Sequence, residues 1–356
     1  MKPIIPAFAM ACAMVPTLVL AQADPPSVQL YGRLEVAIDS TRYAGTPTKP
    51  SSSAVALSTE TSYWGLTGQQ ALGKGTRAYF KLESGFNVDT GTQGSTTSLF
   101  NREAFVGLGS DTYGNIQLGS QFGPAFYITT RTDPFQRSTN GAIFNLMQQN
   151  GGNKQRGYRL VQDNAIQYIS PWLGGVTFRA IAGLSERNAA PRDLGAFRGV
   201  HLEYVGGPFY VGLSAEDEKV AGASPTSSIA KQTYTLGATY DFRVIKVHGY
   251  LLRNTMDNAP DANAWMLGLS YPLGAGAIRT SYSRYKISDT AGARASVASI
   301  GYAYPLSKRT TLYTAYGRMT NDSASNFAIW PSSKTYGLPA LGEDISSLEL
   351  GIRHFF

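Results

Sequence analysis

A side-chain period of two, repeated along nearly the whole chain, constrains what it can fold into more than any other feature. In residues 28–39 one face carries Val28, Leu30, Leu34, Val36 and Ile38, and the other carries Gln29, Tyr31, Arg33, Glu35 and Asp39. Residues 76–83 set Ala78, Phe80 and Leu82 against Arg77, Tyr79, Lys81 and Glu83. Farther on, Tyr234, Leu236, Ala238 and Tyr240 oppose Lys231, Thr233, Thr235, Thr239 and Asp241. Successive side chains of a strand point to opposite faces, so each stretch is predicted to be a strand separating an apolar from a polar environment. A soluble sandwich alternates in the same way, and the connections decide between the two.

Seven connections read as short, at 72–75, 111–114, 171–175, 205–208, 241–243, 272–276 and 305–309. Eight mostly longer polar stretches lie between them, near 41–54, 88–98, 122–162, 187–196, 217–230, 255–262, 288–293 and 321–345. Fifteen connections imply sixteen strands. Short turns on one side and longer loops on the other are the layout of outer-membrane barrels. Aromatics gather on the short-turn side: Tyr168 and Trp172, Tyr204 and Phe209, Tyr240 and Phe242, Tyr271, Tyr302 and Tyr304. Amphipathic rings prefer the membrane interface, where barrels carry a girdle. The final stretch, 348–356, alternates up to a terminal phenylalanine, as expected of a strand that pairs with the first and leaves no edge.

Composition supports this reading. Tyr (21) and Gly (38) are abundant and only 15% of residues are charged, a profile of strands and turns rather than helices. After the first residues, nothing approaches the ~20 consecutive apolar residues of a membrane helix. Lys2, the apolar run 7–21 and the small-x-small stretch Ala21-Gln22-Ala23 read as a cleaved signal peptide over 1–23, leaving one barrel domain over 24–356. The lone cysteine, Cys12, falls in that leader, so the mature chain is expected to form no disulfide or thiolate metal site. Removing Lys2 from the 31 lysines and arginines leaves 30 against 24 acids, a net charge of +6.

With these motifs set out, the chain resembles a Gram-negative general porin of the β-proteobacterial type. The alternating run around Leu30-Tyr31-Gly32 resembles that family's first strand. Tyr63-Trp64-Gly65-Leu66-Thr67-Gly68 and Lys81-Leu82-Glu83-Ser84-Gly85-Phe86 resemble the next two, and the stretch from Asn101-Arg102-Glu103-Ala104 to Leu108 resembles the fourth. Asp163 to Pro171 resembles the strand after the constriction loop. Leu306-Ser307-Lys308-Arg309-Thr310 and the ending Gly351-Ile352-Arg353-His354-Phe355-Phe356 are the most specific matches. The resemblance implies an all-β, sixteen-stranded antiparallel transmembrane barrel with short periplasmic turns, long external loops and a third loop folded into the lumen. It also implies a homotrimer set among outer-membrane lipid and lipopolysaccharide, passing ions and small hydrophilic solutes by passive diffusion. Two departures stand out: Tyr63 and Ser120 occupy positions where the family commonly has arginines on the basic side of the pore. Lys81, where glutamine is common, is expected to compensate in part.

A pore of this class needs a narrow zone with fixed charges. Strand parity assigns Arg33, Glu35, Arg77, Lys81, Glu83, Arg179, Lys246 and Arg279 to the lumen wall, six cations against two anions. Residues 122–162 form the longest connection and read as the constriction loop, carrying Arg131, Asp133, Arg137, Lys154, Arg156 and Arg159. The expected bias is weakly toward anions, with Asp133 opposing it. Gly32 and Gly351 are expected to let neighbouring barrels approach closely.

Catalytic signatures are absent. His201, His248 and His354 are far apart, and neither Gly-x-Ser-x-Gly nor His-Glu-x-x-His occurs. Residues 68–74 match a phosphate-loop pattern up to Lys74, but Gly75 stands where Ser or Thr is required, and the segment reads better as a hairpin turn. No cofactor, metal or nucleic-acid partner is implied. Two other classes remain open from sequence: a surface adhesin or phage receptor on a barrel scaffold, and an outer-membrane lipid hydrolase.

Overall fold

Alternation becomes a continuous antiparallel sheet whose two faces meet opposite solvents. A computed structural model describes residues 27–148, 156–330 and 336–356. Residues 1–23, expected to be a leader, with Cys12, and the loop cation Lys154 lie outside them.

The strands in order are β1 (Ser27–Tyr43), β2 (Ser52–Thr59), β3 (Tyr63–Gly73), β4 (Thr76–Gly85), β5 (Glu103–Ser110) and β6 (Gly114–Phe122). Two short helices follow, α1 (Pro124–Thr132) and α2 (Phe144–Met147). Then come β7 (Val161–Ile169), β8 (Val176–Gly183), β9 (Phe197–Gly206), β10 (Phe209–Ala221), β11 (Ser228–Asp241) and β12 (Lys246–Met256). The sheet ends with β13 (Ala259–Leu273), β14 (Gly276–Ile287), β15 (Arg294–Pro305), β16 (Thr310–Asn321) and β17 (Ile345–Phe355).

These seventeen segments make sixteen staves, because β2 and β3 are one stave with a break. The upper half of β1 pairs with β2, from Val36↔Thr59 to Tyr43↔Ser52, and the lower half pairs with β3, from Ser27↔Gln69 to Arg33↔Tyr63. The break at 60–62 is held by polar groups. Glu60 N–H donates to Glu35 O, and the Ser62 hydroxyl accepts from Glu35 N–H and donates to Glu35 O. The ring closes where β1 meets β17, from Arg33↔Phe355 to Tyr43↔Ile345, so no strand edge is left unpaired in lipid. The closed, sixteen-stave antiparallel barrel agrees with the sequence expectation. Residues 68–73 are the end of β3, and the expected hairpin turn is residues 74–75, with β4 beginning at Thr76.

Val28, Leu30, Leu34 and Ile38 lie exposed on the outer face, while Arg33, Glu35 and Asp39 are buried on the inner one. Bare apolar surface on almost every stave exceeds what a soluble monomer shows and fits a lipid solvent. Trp172, Tyr204, Phe209, Tyr240, Phe242 and Tyr271 are exposed at the short-turn end, where the girdle was expected.

Three expectations need correction. Residues 217–230 and 255–262 are mostly strand: β10 runs to Ala221, β11 begins at Ser228, and β12 and β13 are separated only by residues 257–258. Gly351 lies on the lumen face, where the Tyr313 ring covers it, and Gly32 faces outward beneath the chain's own Phe356 ring. Both glycines therefore seat rings of the same barrel, and neither is a bare patch for a neighbour.

Candidate pore constriction

Between β6 and β7 the chain turns into the lumen and runs along the inner wall. Pro124 opens α1, which suits a first-turn position whose N–H would have no helical partner. The Glu216 carboxylate of β10 accepts the Ala125 N–H at 2.8 Å, satisfying an end group that the helix cannot. The helix packs on β9 to β12 with Ile128 fully buried. It can lie this close because the wall carries no side chain there. A Cβ on Gly237 would run into Ile128 and come within 2.8 Å of Thr132, and one on Gly268 would meet Pro134 at 2.7 Å. His248 bridges loop and wall, with Nδ1 3.1 Å from Thr132 O and Nε2 3.0 Å from Ser270 Oγ. Farther along, Ile143, Leu146 and Met147 join Tyr250, Met266, Tyr285 and Val297 in one buried cluster, which fills that side of the lumen.

The loop's tip is held differently. Ser138 Oγ donates to Glu35 at 2.7 Å, Thr139 N–H to Glu60 at 3.2 Å and Asn140 N–H to Glu349 at 2.9 Å. Glu35 is fully buried and sits between Arg33, which ion-pairs with it, and Arg353, whose Nε and Nη2 reach it at 2.8 and 2.7 Å. The carboxylate thus pairs with two buried guanidiniums, offsetting one of their two charges, and anchors the loop. Within the loop, Asp133 accepts backbone N–H bonds from Phe135, Arg137 and Ile143. Burial pushes its carboxyl up to about 6, against the pull of those donors and of Arg137. Asp39, Glu60 and Glu349 bring carboxylate oxygens within 4.8 Å of one another, the grouping among the described residues with cation-ligand spacing. Loop N–H groups and Ser58 already bond to members of it.

The assigned wall residues separate into three places. Lys81 and Glu83 lie across from the loop, where Lys81 Nζ is 2.6 Å from Glu103 and 3.4 Å from Glu83, while Arg102 pairs with Glu83. Arg179 stacks over Tyr127 of α1 at 4.1 Å. Arg279 lines a recess with Phe135, Thr139 and Arg353. Arg77 lies nearer the turn end, on Asp111 at 2.9 Å, and Lys246 joins Arg131 and Arg243 around a turn-end vestibule. Arg131 therefore faces the vestibule and not the narrow zone, and Arg156 is bonded to Pro260 O at the long-loop end. Ser120 sits at a bulge between Gly119 and Gln121 and bonds Asp163. Tyr63 packs its ring on the Arg102 guanidinium at 4.5 Å.

Beside the loop a cavity of about 400 Å³ remains open, lined by Arg33, Arg102 and Arg137 among others. Arg137 bonds only neutral acceptors on Thr129, Tyr158 and Gln148, and makes no ion pair among the described residues. Sequence reasoning missed Glu60, Arg102, Glu103, Glu349 and Arg353. For Glu349 and Arg353 the signal was available, since they alternate with the apolar Leu348, Leu350 and Ile352 of the last strand.

Comparison with known proteins agrees with this architecture. A model of the Gram-negative porin family matches residues 7–324. The chain is 31% identical over 341 residues to an outer membrane porin protein of Bordetella pertussis, covering 83% of this chain and 82% of that one. It is 28% identical over 303 residues to outer membrane porin protein 32 of Delftia acidovorans, covering 83% and 85%. Among solved structures it is similar to the anion-selective porin from Comamonas acidovorans, at TM-score 0.77 and 27% identity over 93% of this chain and 100% of that one. OmpT of Vibrio cholerae, at 13% identity, TM-score 0.64 and coverage of 95% and 100%, shares the fold.

Proposed function

The chain belongs to the Gram-negative porin family, and on that premise we propose that the lumenal loop and the charged wall facing it decide which solutes pass. It is an outer-membrane channel for passive diffusion of small solutes and not an enzyme. The finer reading is a modest preference for anions. The observation that carries it is Arg137, a cation at the cavity with no carboxylate partner among the described residues. No ion pair among the described residues cancels its charge, although Asp133 lies beside it, and low-dielectric walls focus such a field on passing ions. The similar Comamonas acidovorans protein is an anion-selective porin, which supports the same sign.

Arg33, Glu35, Lys81, Glu83, Asp133, Arg137, Arg179 and Arg279 are assigned to the narrow zone or its support, and Arg77, Arg131, Arg156 and Lys246 to the two mouths. The assembly is proposed to be a homotrimer among outer-membrane lipid and lipopolysaccharide, with residues 1–23 removed on export. Planar-bilayer reversal potentials across a KCl gradient test the selectivity. A potential of anion sign that shrinks as salt rises is expected, and one of cation sign would overturn it. A monomer-sized band in mild detergent, insensitive to heat, would overturn the trimer.

A further inference from the structure

The cavity beside the loop offers two kinds of surface at once. Its guanidiniums are Arg33, Arg102 and Arg137, and its rings are Tyr63, Phe86, Phe126, Phe144 and Trp330. Two of the three guanidiniums are committed, Arg33 to Glu35 and Arg102 to Glu83. Arg137 is not. Its Nη1 donates to Thr129 and Tyr158 and one Nη2 hydrogen to Gln148, leaving Nε–H and a second Nη2 hydrogen without an acceptor among the described residues. Those two donors are the fork that receives a planar carboxylate. Phe126 backs the guanidinium at 4.6 Å and Phe144 lies 5.9 Å away, so flat apolar faces adjoin the fork.

A small inorganic anion would use the fork and gain nothing from the rings. A neutral solute would touch the rings and leave an unpaired cation to be desolvated, which is costly. A molecule with a carboxylate at one end and an aromatic ring at the other satisfies both, the ring lying against the aromatic faces or the guanidinium plane. A volume of about 400 Å³ is within the range of small-ligand sites. Its position in an open channel keeps residence brief, as conduction requires.

We propose that this cavity is a weak binding station for small aromatic carboxylates, with Arg137 as the carboxylate fork. The proposal rests on reading the lumenal loop as the constriction. Its test is the single-channel current of the full channel in a planar bilayer with benzoate, cyclohexanecarboxylate or acetate added at equal ionic strength and pH. Benzoate is expected to interrupt the current at about tenfold lower concentration than cyclohexanecarboxylate, and acetate not at all. Arg137→Lys keeps the charge but loses the fork that both carboxylates use, so it should weaken interruption by benzoate and by cyclohexanecarboxylate alike while the reversal potential stays anionic. Trp330→Leu, which leaves the loop's own sequence intact, should weaken benzoate interruption independently. Equal interruption by benzoate and cyclohexanecarboxylate, or none by either, overturns the proposal whatever the reversal potential. A cationic reversal potential with benzoate interruption intact overturns the selectivity reading alone.

Discussion

The two ends of the lumenal loop are fastened by opposite physics. Its helical end lies on apolar wall with Ile128 seated over Gly237, and its tip at 138–140 is gripped by three carboxylates. Apolar seating depends on shape, so it fails when bulk is added and is indifferent to salt and pH. The polar grip depends on every buried charge keeping its partner, so it fails when one member is removed. The loop is thereby located chiefly by volume at one end, where Glu216 and His248 add polar bonds, and by charge at the other.

Removing the hub of the polar end should have the largest effect. Glu35→Ala strands Arg33 and Arg353 in a buried site and releases Ser138, a change costing about 3–5 kcal/mol. The heat-resistant folded band should then unfold at lower temperature, and single-channel conductance should rise as the tip loosens. Unchanged values for both would refute the role given to Glu35. At the apolar end, Gly237→Val drives a side chain into Ile128 and should cost about 1–3 kcal/mol. Adding Ile128→Ala should recover much of that loss, and failure of the second change to help would show that the contact is not what Gly237 accommodates.

Smaller effects sharpen the contrast between wall charges. Arg77→Gln and Lys81→Gln together should move the reversal potential toward cations, almost wholly through Lys81. Arg77 makes an exposed pair with Asp111, worth roughly 0–1 kcal/mol, whereas Lys81 is what neutralises buried Glu103. A shift produced by Arg77→Gln alone would reverse that assignment. The smallest effect concerns Asp133, whose carboxyl is raised from an ordinary 3.8 to about 6. A carboxyl raised on folding favours the folded state fully below its unfolded value and loses that contribution as pH rises through about 6. Between pH 7 and pH 5 it takes up a proton and removes a negative charge beside Arg137, so anion preference should strengthen. The step should vanish in Asp133→Asn, and its persistence there would assign it to another group.

Parity made much of the barrel readable. A strand's side chains alternate except at a bulge, so Arg33 and Glu35, or Lys246 and His248, could be placed on the lumen face from spacing alone. The same rule misled where polar residues crowd the outward face near a strand's long-loop end. Asp217 and Lys219, and Thr255 near Asp257, look like loop sequence, yet they lie on or beside paired strands. What spacing could not supply was partnership. Asn140 meets Glu349 209 positions away, and Ser138 meets Glu35 across 103. Such pairs exist only once the sheet has curled on itself, which no local pattern records. That is why Lys81 looked like a free basic residue until Glu103 was seen beside it.

The polar grip on the loop straddles the seam where the first strand meets the last. Glu35 belongs to β1, while Glu349 and Arg353 belong to β17. A chain whose ends have not yet joined therefore offers the tip only part of its anchorage, and the aperture narrows after the wall is sealed. The full anchorage of the aperture is thus a property of the closed circle of strands and of no single hairpin within it.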